Sequence, residues 1–264
     1  MQTFTDQTGH DIYLEVPPQR VVSLVPSQTE LLFDLGLNAE VVGLTKYCRY
    51  PESKVRHKAV VGGTKDVDLA LVRALAPDLI IGNKEENTQE AIEQLRRDFP
   101  VWTSDVRDLP AAGQMMRALG TLVDKEASAH WIASKIEERF AELASEQISQ
   151  LQRRRVAYLI WRKPWMVAAA DTFIHHLLEK AGFTNAFAQQ QRYPTCTAEE
   201  LRQAQPEVVF LSSEPYPFKE KHLTELRQIC PHASVKLVDG ELFSWYGSRL
   251  LRTPSYLRHL RSSL

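Results

Sequence analysis

The chain has 264 residues, 44% hydrophobic and 25% charged, ordinary proportions for a water-soluble globular protein of one large or two modest domains. Its 32 Lys and Arg against 33 Asp and Glu leave a net charge of −1, which excludes a general electrostatic attraction to nucleic acid or anionic membrane. Three cysteines, Cys48, Cys196 and Cys230, are too few and too scattered for a disulfide scaffold or a zinc module.

The first six residues lack a basic segment, an apolar segment and a cleavage site, and no later stretch reaches the roughly 20 apolar residues of a membrane span. The chain therefore reads as soluble, without an export signal, and as cytoplasmic if Met1 is the native start. A short hairpin is expected around Gln7, Thr8, Gly9 and His10. Residues 20–25 form a β-branched run closed by Pro26. Ser27 to Glu30 fits a capping box, with Ser27 at the N-cap and Glu30 reaching back, and Gly36 is placed as the helix stop. A second strand follows over 40–45, a loop over 46–51, a helix over 68–76, a strand over 78–82, a helix over 90–97 and a strand over 101–103. Continuous apolar strands alternating with helices indicate a parallel sheet covered on both faces.

From residue 111 to 155 the pattern becomes helical, with an interruption expected at 120–124. If residues 126–151 are continuous, 26 residues at about 1.5 Å each make a rod of roughly 39 Å. The second half restarts with a strand over 156–160, a helix over 171–181 stopped by Gly182, a helix over 198–203 capped by Thr197 with Glu200, a strand over 208–211, a helix over 223–229, a strand over 235–238 and a final helix toward Leu264. This amounts to lobes at 1–109 and 155–264 with a helical bridge over 110–154.

The two halves repeat each other. Pro77 and Pro206 are 129 positions apart, as are Glu85 and Glu214, so the helix, turn and strand before each glutamate keep register. Arg20-Val21-Val22 returns as Arg155-Val156-Ala157, and Arg49-Tyr50-Pro51 as Arg192-Tyr193-Pro194. A unit of this length that occurs only twice is large enough to hold its own core, so the fold class is α/β with two similar lobes, joined by a long rigid helix and facing a ligand cleft.

Ligands of open parallel sheets bind at the carboxyl ends of the strands. Those ends carry Arg49, Tyr50, Asn83, Glu85, Trp165, Met166, Arg192, Tyr193, Glu241, Trp245 and Tyr246. Aromatic faces interspersed with arginines and carboxylates form a groove for a broad ligand of mixed polarity.

Residues 20–51, the run Val60-Val61-Gly62-Gly63, residues 78–81 and the long helix, in this order and spacing, resemble the substrate-binding proteins of ABC importers for cobalamin, haem and ferric siderophores. The resemblance covers nearly the whole chain from Phe4 on. It implies noncatalytic capture of such a metal complex, no intrinsic cofactor, an extracytoplasmic or periplasmic place and, as partners, permease subunits. It also implies that Tyr50 matches a ligand-contacting tyrosine, that Tyr193 replaces an aromatic contact and Glu241 an acidic one, and that Trp165 or Met166 stands where a further aromatic is expected. Docking to the permease uses a glutamate on each lobe. Glu199 matches the second, and Ala70 stands where the first would be. A monomer is expected.

Other chemistry is weakly represented. His175 and His176 are adjacent on a helix and point about 100° apart, so they cannot chelate one ion from one face, and no metal site is expected. Iron within haem could take Tyr50 or Tyr193 as an axial oxygen ligand. Cys48 and Cys196 each lie near a cleft tyrosine, which leaves a thiol-dependent enzyme as the least favoured reading. No nucleophile elbow or phosphate loop is present. An intracellular sensor or carrier of haem or corrinoids is the alternative function.

Overall fold

The computed structural model describes every residue except Met1, Val16 and residues 147–152. The chain divides into two compact units, the first made of Met1–Val106, Pro110–Lys135 and Tyr246–Arg249, the second of Arg107–Leu109, Ile136–Trp245 and Leu250–Leu264.

The first unit opens with the antiparallel hairpin of β1 (Gln2–Thr5) and β2 (Asp11–Leu14), turned at Gly9 with φ +85°. It continues with β3 (Val21–Ser23), α1 (Pro26–Asp34), β4 (Val41–Leu44), α2 (Glu52–Val55), β5 (Ala59–Val60), α3 (Leu69–Leu75), β6 (Leu79–Asn83), α4 (Gln89–Arg96) and β7 (Val101–Ser104). The sheet is parallel throughout, in the order β5-β4-β3-β6-β7. Val21, Val22 and Leu79 to Ile81 are fully buried, as strands covered on both faces require. From β5 the chain crosses β3 to reach β6, so the strand order reverses between β3 and β6, and the loops that leave there diverge.

The capping box expected at Ser27 is not formed. Pro26 takes the first helical turn, Val25 is the N-cap without a side-chain bond, and Ser27 Oγ is buried with no hydrogen-bond partner among the described residues. Glu30, the expected reciprocal cap, instead pairs with Arg249. The stop at Gly36 does form, with φ +97°.

The interruption expected over 120–124 is present, although Gly120 itself lies inside α5 (Leu109–Leu122), where a Cβ would come within 2.2 Å of the Ala129 Cβ. Glycine is therefore needed for close approach between helices, and the break falls at Asp124, which has φ +55°. The next helix, α6 (Glu126–Ser145), has 20 residues, about 30 Å, and stops short of the longer rod. Glu146 leaves the helix and pairs with Arg258 and Arg261. Residues 147–151 of the expected rod lie outside the described residues.

The second unit holds β8 (Arg155–Trp161), β9 (Trp165–Val167), α7 (Phe173–Lys180), β10 (Thr184–Asn185), β11 (Thr195–Cys196), α8 (Ala198–Gln203), β12 (Val208–Ser212), α9 (Glu220–Ile229), β13 (Ser234–Val238), α10 (Glu241–Ser244) and α11 (Thr253–Ser262). Its sheet runs β11-β9-β8-β12-β13, with β10 on the start of β8. Strands β8, β10, β12 and β13 are parallel, but β9 is antiparallel to both β8 and β11. The sheet is thus mixed, and Trp165 and Met166, placed in a loop by the sequence pattern, sit on β9.

The repeat has a structural cause. Asp68 caps α3 by accepting from the Leu71 N–H, and Thr197 caps α8 by accepting from the Glu200 N–H in a complete capping box. Each helix ends at a left-handed residue before the proline, Ala76 (φ 43°) and Gln205 (φ 45°). Arg20 Nε then donates to the Leu75 carbonyl at 2.9 Å, and Arg155 Nε to that of Ala204 at 2.7 Å, closing the two helix ends alike. The acid after each proline, Asp78 or Glu207, accepts from the main-chain N–H of its arginine.

Candidate ligand-binding site

In the first unit the loop after β4 is pinned at Cys48, whose Sγ lies 3.2 Å from Thr29 Oγ1 and 3.3 Å from Thr45 Oγ1. With Cys48 buried, Tyr47, Arg49 and Tyr50 stand exposed. Arg249 lies with its guanidinium carbon 4.1 Å from the Tyr50 ring centroid. That guanidinium is itself fixed by two hydrogen bonds to Glu30, at 2.9 and 2.8 Å, in a pair whose side chains are 6% and 10% exposed. The segment carrying Arg249 is further held by Ser248 donating to Asp34 and by Tyr246 Oη donating to Glu86 at 2.8 Å. Gly247 packs so closely that a Cβ would come 2.5 Å from the Ser27 carbonyl oxygen.

The loop after β6 is built by its asparagines. Asn83 Oδ1 accepts from the N–H groups of Glu85 and Glu86 at 2.8 and 3.0 Å, and its Nδ2 donates to Ser104 Oγ at 2.9 Å. Asn87 donates to the carbonyls of Leu24 and Thr64, tying this loop to those after β3 and β5. Asn83 is buried, so it shapes the loop, while Glu85 is half-buried.

In the second unit the β8–β9 hairpin presents an aromatic cluster. Trp165 stacks on Phe218 at 6.3 Å with 10° between planes, and Arg162 lies 5.7 Å from the Trp165 ring while bonding both oxygens of Glu225. Trp161, exposed, meets Tyr216 edge-on at 5.6 Å, and Tyr216 meets Phe218 at 4.7 Å. His222 packs against both, with Nδ1 accepting from the Lys219 N–H; burial lowers its pKa. Met166 is half-buried and opposite Thr195. Tyr193 is half-buried with Arg192 5.8 Å from its ring.

Glu241, buried, begins α10, and its N–H donates to Asp239. Trp245 Nε1 and Ser244 Oγ donate to the same Glu214 oxygen, and Trp245 is only 6% exposed. Tyr246, its neighbour in sequence, belongs to the first unit. Glu199 is exposed in the first turn of α8, where Arg202 and Gln203 bond to it. The exposed Ala70 occupies the same second position of α3.

Sequence reasoning missed Glu30, Arg249, Asn87, Phe218 and Glu225. The glutamine- and asparagine-rich loop ends held a signal for Asn87, but nothing local singles out Arg249. The thiols are buried, and burial pushes all three up, Cys196 to about 11. Among the described residues no group of three or more His, Cys, Asp or Glu could hold a metal ion, and no helix is long and apolar enough to cross a membrane.

Each unit is thus of the α/β class, with a parallel or mostly parallel sheet and with aromatic rings and arginines near its strand ends. The chain belongs to the periplasmic binding protein family, whose model matches residues 21–229. It is accordingly a binding protein and not an enzyme. A vitamin B12-binding protein of Yersinia pestis is 26% identical over 198 residues, covering 74% of this chain and 69% of that protein. Among solved structures, the molybdate periplasmic binding protein MolA of Haemophilus influenzae superposes with a TM-score of 0.83 at 14% identity, covering all of this chain and 91% of that one. The periplasmic heme-binding protein RhuT from Roseiflexus sp. RS-1 gives 0.77 at 23%, with 93% and 97% covered.

Proposed function

We propose that the chain captures a metal-centred macrocycle or chelate, of the cobalamin, haem or ferric-siderophore type, as the substrate-binding component of an ABC importer outside the cytoplasmic membrane. One observation carries this reading: three rings at strand ends, Tyr50, Trp165 and Tyr193, each have a guanidinium against one face, from Arg249, Arg162 and Arg192. A cation held on one face fixes the plane of the ring, which prepares flat surfaces for a broad ligand without immobilising them on binding. The vitamin B12-binding relative makes cobalamin the first ligand to test.

In this reading Tyr50, Trp165 and Tyr193 supply aromatic surface and Met166 an adaptable apolar contact, while the buried Trp245 and Tyr246 hold their loop through Glu214 and Glu86. Arg49, Arg192, Glu85 and Glu241 set charge, Asn83 shapes its loop, and Glu199 docks to a permease subunit. Titration with cyanocobalamin, haemin and a ferric hydroxamate, followed by absorbance and melting temperature, tests the reading. One of the three should saturate, and at 100 times its Kd should add about 2.7 kcal/mol of stability. No response to any of them would overturn it. Ala70, at the position that mirrors Glu199, favours a second reading, a carrier or sensor that does not dock for import; copurification with a permease and ATPase would overturn that one.

A further inference from the structure

The second unit carries a charged triplet beside Tyr193. Arg107 Nη1 donates to both carboxylate oxygens of Asp171, at 3.0 and 3.1 Å. Arg192 Nη1 donates to the Asp171 main-chain carbonyl at 2.6 Å and lies 3.6 Å from Oδ2. Two guanidiniums thus share one carboxylate, and all three side chains are accessible, at 43%, 32% and 38% exposure for Arg107, Asp171 and Arg192.

The main chain holds this arrangement in a particular way. Asp171 (φ 58°) and Arg192 (φ 64°) are both non-glycine residues in the left-handed region, and they face each other across the bridge between Ala170 and Gln191. The Arg192 N–H donates to the Ala170 carbonyl at 2.8 Å, and the Ala169 N–H to the Arg192 carbonyl at 2.9 Å. Such conformations persist only where surrounding contacts over-determine them. The result places the Arg192 guanidinium between Asp171 and the Tyr193 ring.

We propose that Asp171 is an internal counter-ion that determines ligand specificity at this site: it occupies the arginine pair in the way a carboxylate of a ligand would, and so restrains binding of anionic ligands relative to neutral ones. Asp171 takes the Nη1 of Arg107 with both oxygens and lies 3.6 Å from the Nη1 of Arg192, so a ligand carboxylate approaching these guanidiniums competes with it for the same positive charge. Removing the Asp171 charge raises the net charge of the triplet from +1 to +2 and removes this one carboxylate from the competition. The proposal rests on the ligand class given above and names one feature of it, a carboxylate at the periphery of the bound molecule.

The test compares wild-type protein with Asp171→Asn, Arg107→Gln and Arg192→Gln. Asparagine tolerates positive φ, so Asp171→Asn keeps the backbone and the shape of the site. The probes are haemin, with two carboxylates, its dimethyl ester, with the same ring and none, and cyanocobalamin. Asp171→Asn should bind haemin about five-fold more tightly, the scale of an accessible ion pair, with ester and cobalamin affinities unchanged. The gain should shrink in high salt, and the two arginine variants should shift the haemin-to-ester ratio the opposite way. An unchanged ratio in Asp171→Asn, or refusal of haemin by both proteins while cobalamin binds, overturns this proposal alone. Failure of every probe with the wild-type protein overturns the ligand class and this proposal together.

Discussion

Arg249→Met should be among the most damaging single substitutions outside the apolar core. The side chain keeps its stem packing but loses the guanidinium that makes two hydrogen bonds to Glu30, a carboxylate 10% exposed. Removing one partner of a buried pair costs about 3–5 kcal/mol, because the remaining charge stays desolvated, and the lost contact with the Tyr50 ring adds about 1 kcal/mol. At roughly 2–4 °C per kcal/mol for a chain of this size, the melting temperature should fall by about 10–20 °C. Arg73→Met is the control, since the Arg73–Asp98 pair is comparably close, at 2.8 Å, but 45% and 40% exposed, and its loss should cost less than about 1 kcal/mol. Circular dichroism melts read both. Combining Arg249→Met with Glu30→Gln should recover more than half of the loss, because the stranded charge is gone. A shift for Arg249→Met no larger than for Arg73→Met would refute the reasoning.

The remaining predictions are shorter. Thr197→Ala should cost about 1 kcal/mol through loss of the capping box, whereas Ser27→Ala should be neutral or stabilising by about 1 kcal/mol, since its hydroxyl is buried without a partner among the described residues; thermal melts that reverse this order would be decisive against it. Burial lowers the pKa of His222, so the unfolded chain takes up that proton first as the pH falls. The stability it contributes is complete above about pH 6.5 and is lost as the pH drops through that value toward the lower folded one, so His222→Gln should flatten the acid side of a plot of melting temperature against pH. All three cysteines should resist iodoacetamide near neutral pH in the folded protein and react in urea, and labelling of Cys48 or Cys196 in the fold would contradict their burial. Trp165→Ala should weaken capture of the ligand identified by titration by about ten-fold, read by absorbance, with no weakening counting against its role.

Much of the architecture was legible from short stretches of sequence. The hairpin at Gly9, the stops at Gly36 and Gly182, and the cap at Thr197 depend on residues within four positions of one another, so turn and capping chemistry identify them. The 129-position repeat was legible although its contacts are not local, because the two copies keep the same residue types: Arg20 with Asp78 and Arg155 with Glu207, 58 and 52 positions apart, close equivalent strand and helix ends. The echo of Arg49-Tyr50-Pro51 in Arg192-Tyr193-Pro194 did not mean equivalent structure, since the first leads into α2 and the second into the edge strand β11. Ser27 misled because a good cap residue one position inside a helix cannot cap it, and Pro26 had already set the start.

The sequence alone thus determined the α/β class, the duplicated scaffold and which loops carry aromatic residues, because these follow from local propensity and hydrophobic period. Only the tertiary structure decided which ring receives a cation, that Tyr246 to Arg249 belong with the first unit, and that Glu30 is an ion-pair partner and not a cap. The physical reason is sequence distance. The bonds that make these choices join residues 160 to 219 positions apart, and side chains so remote meet only when the whole chain has packed.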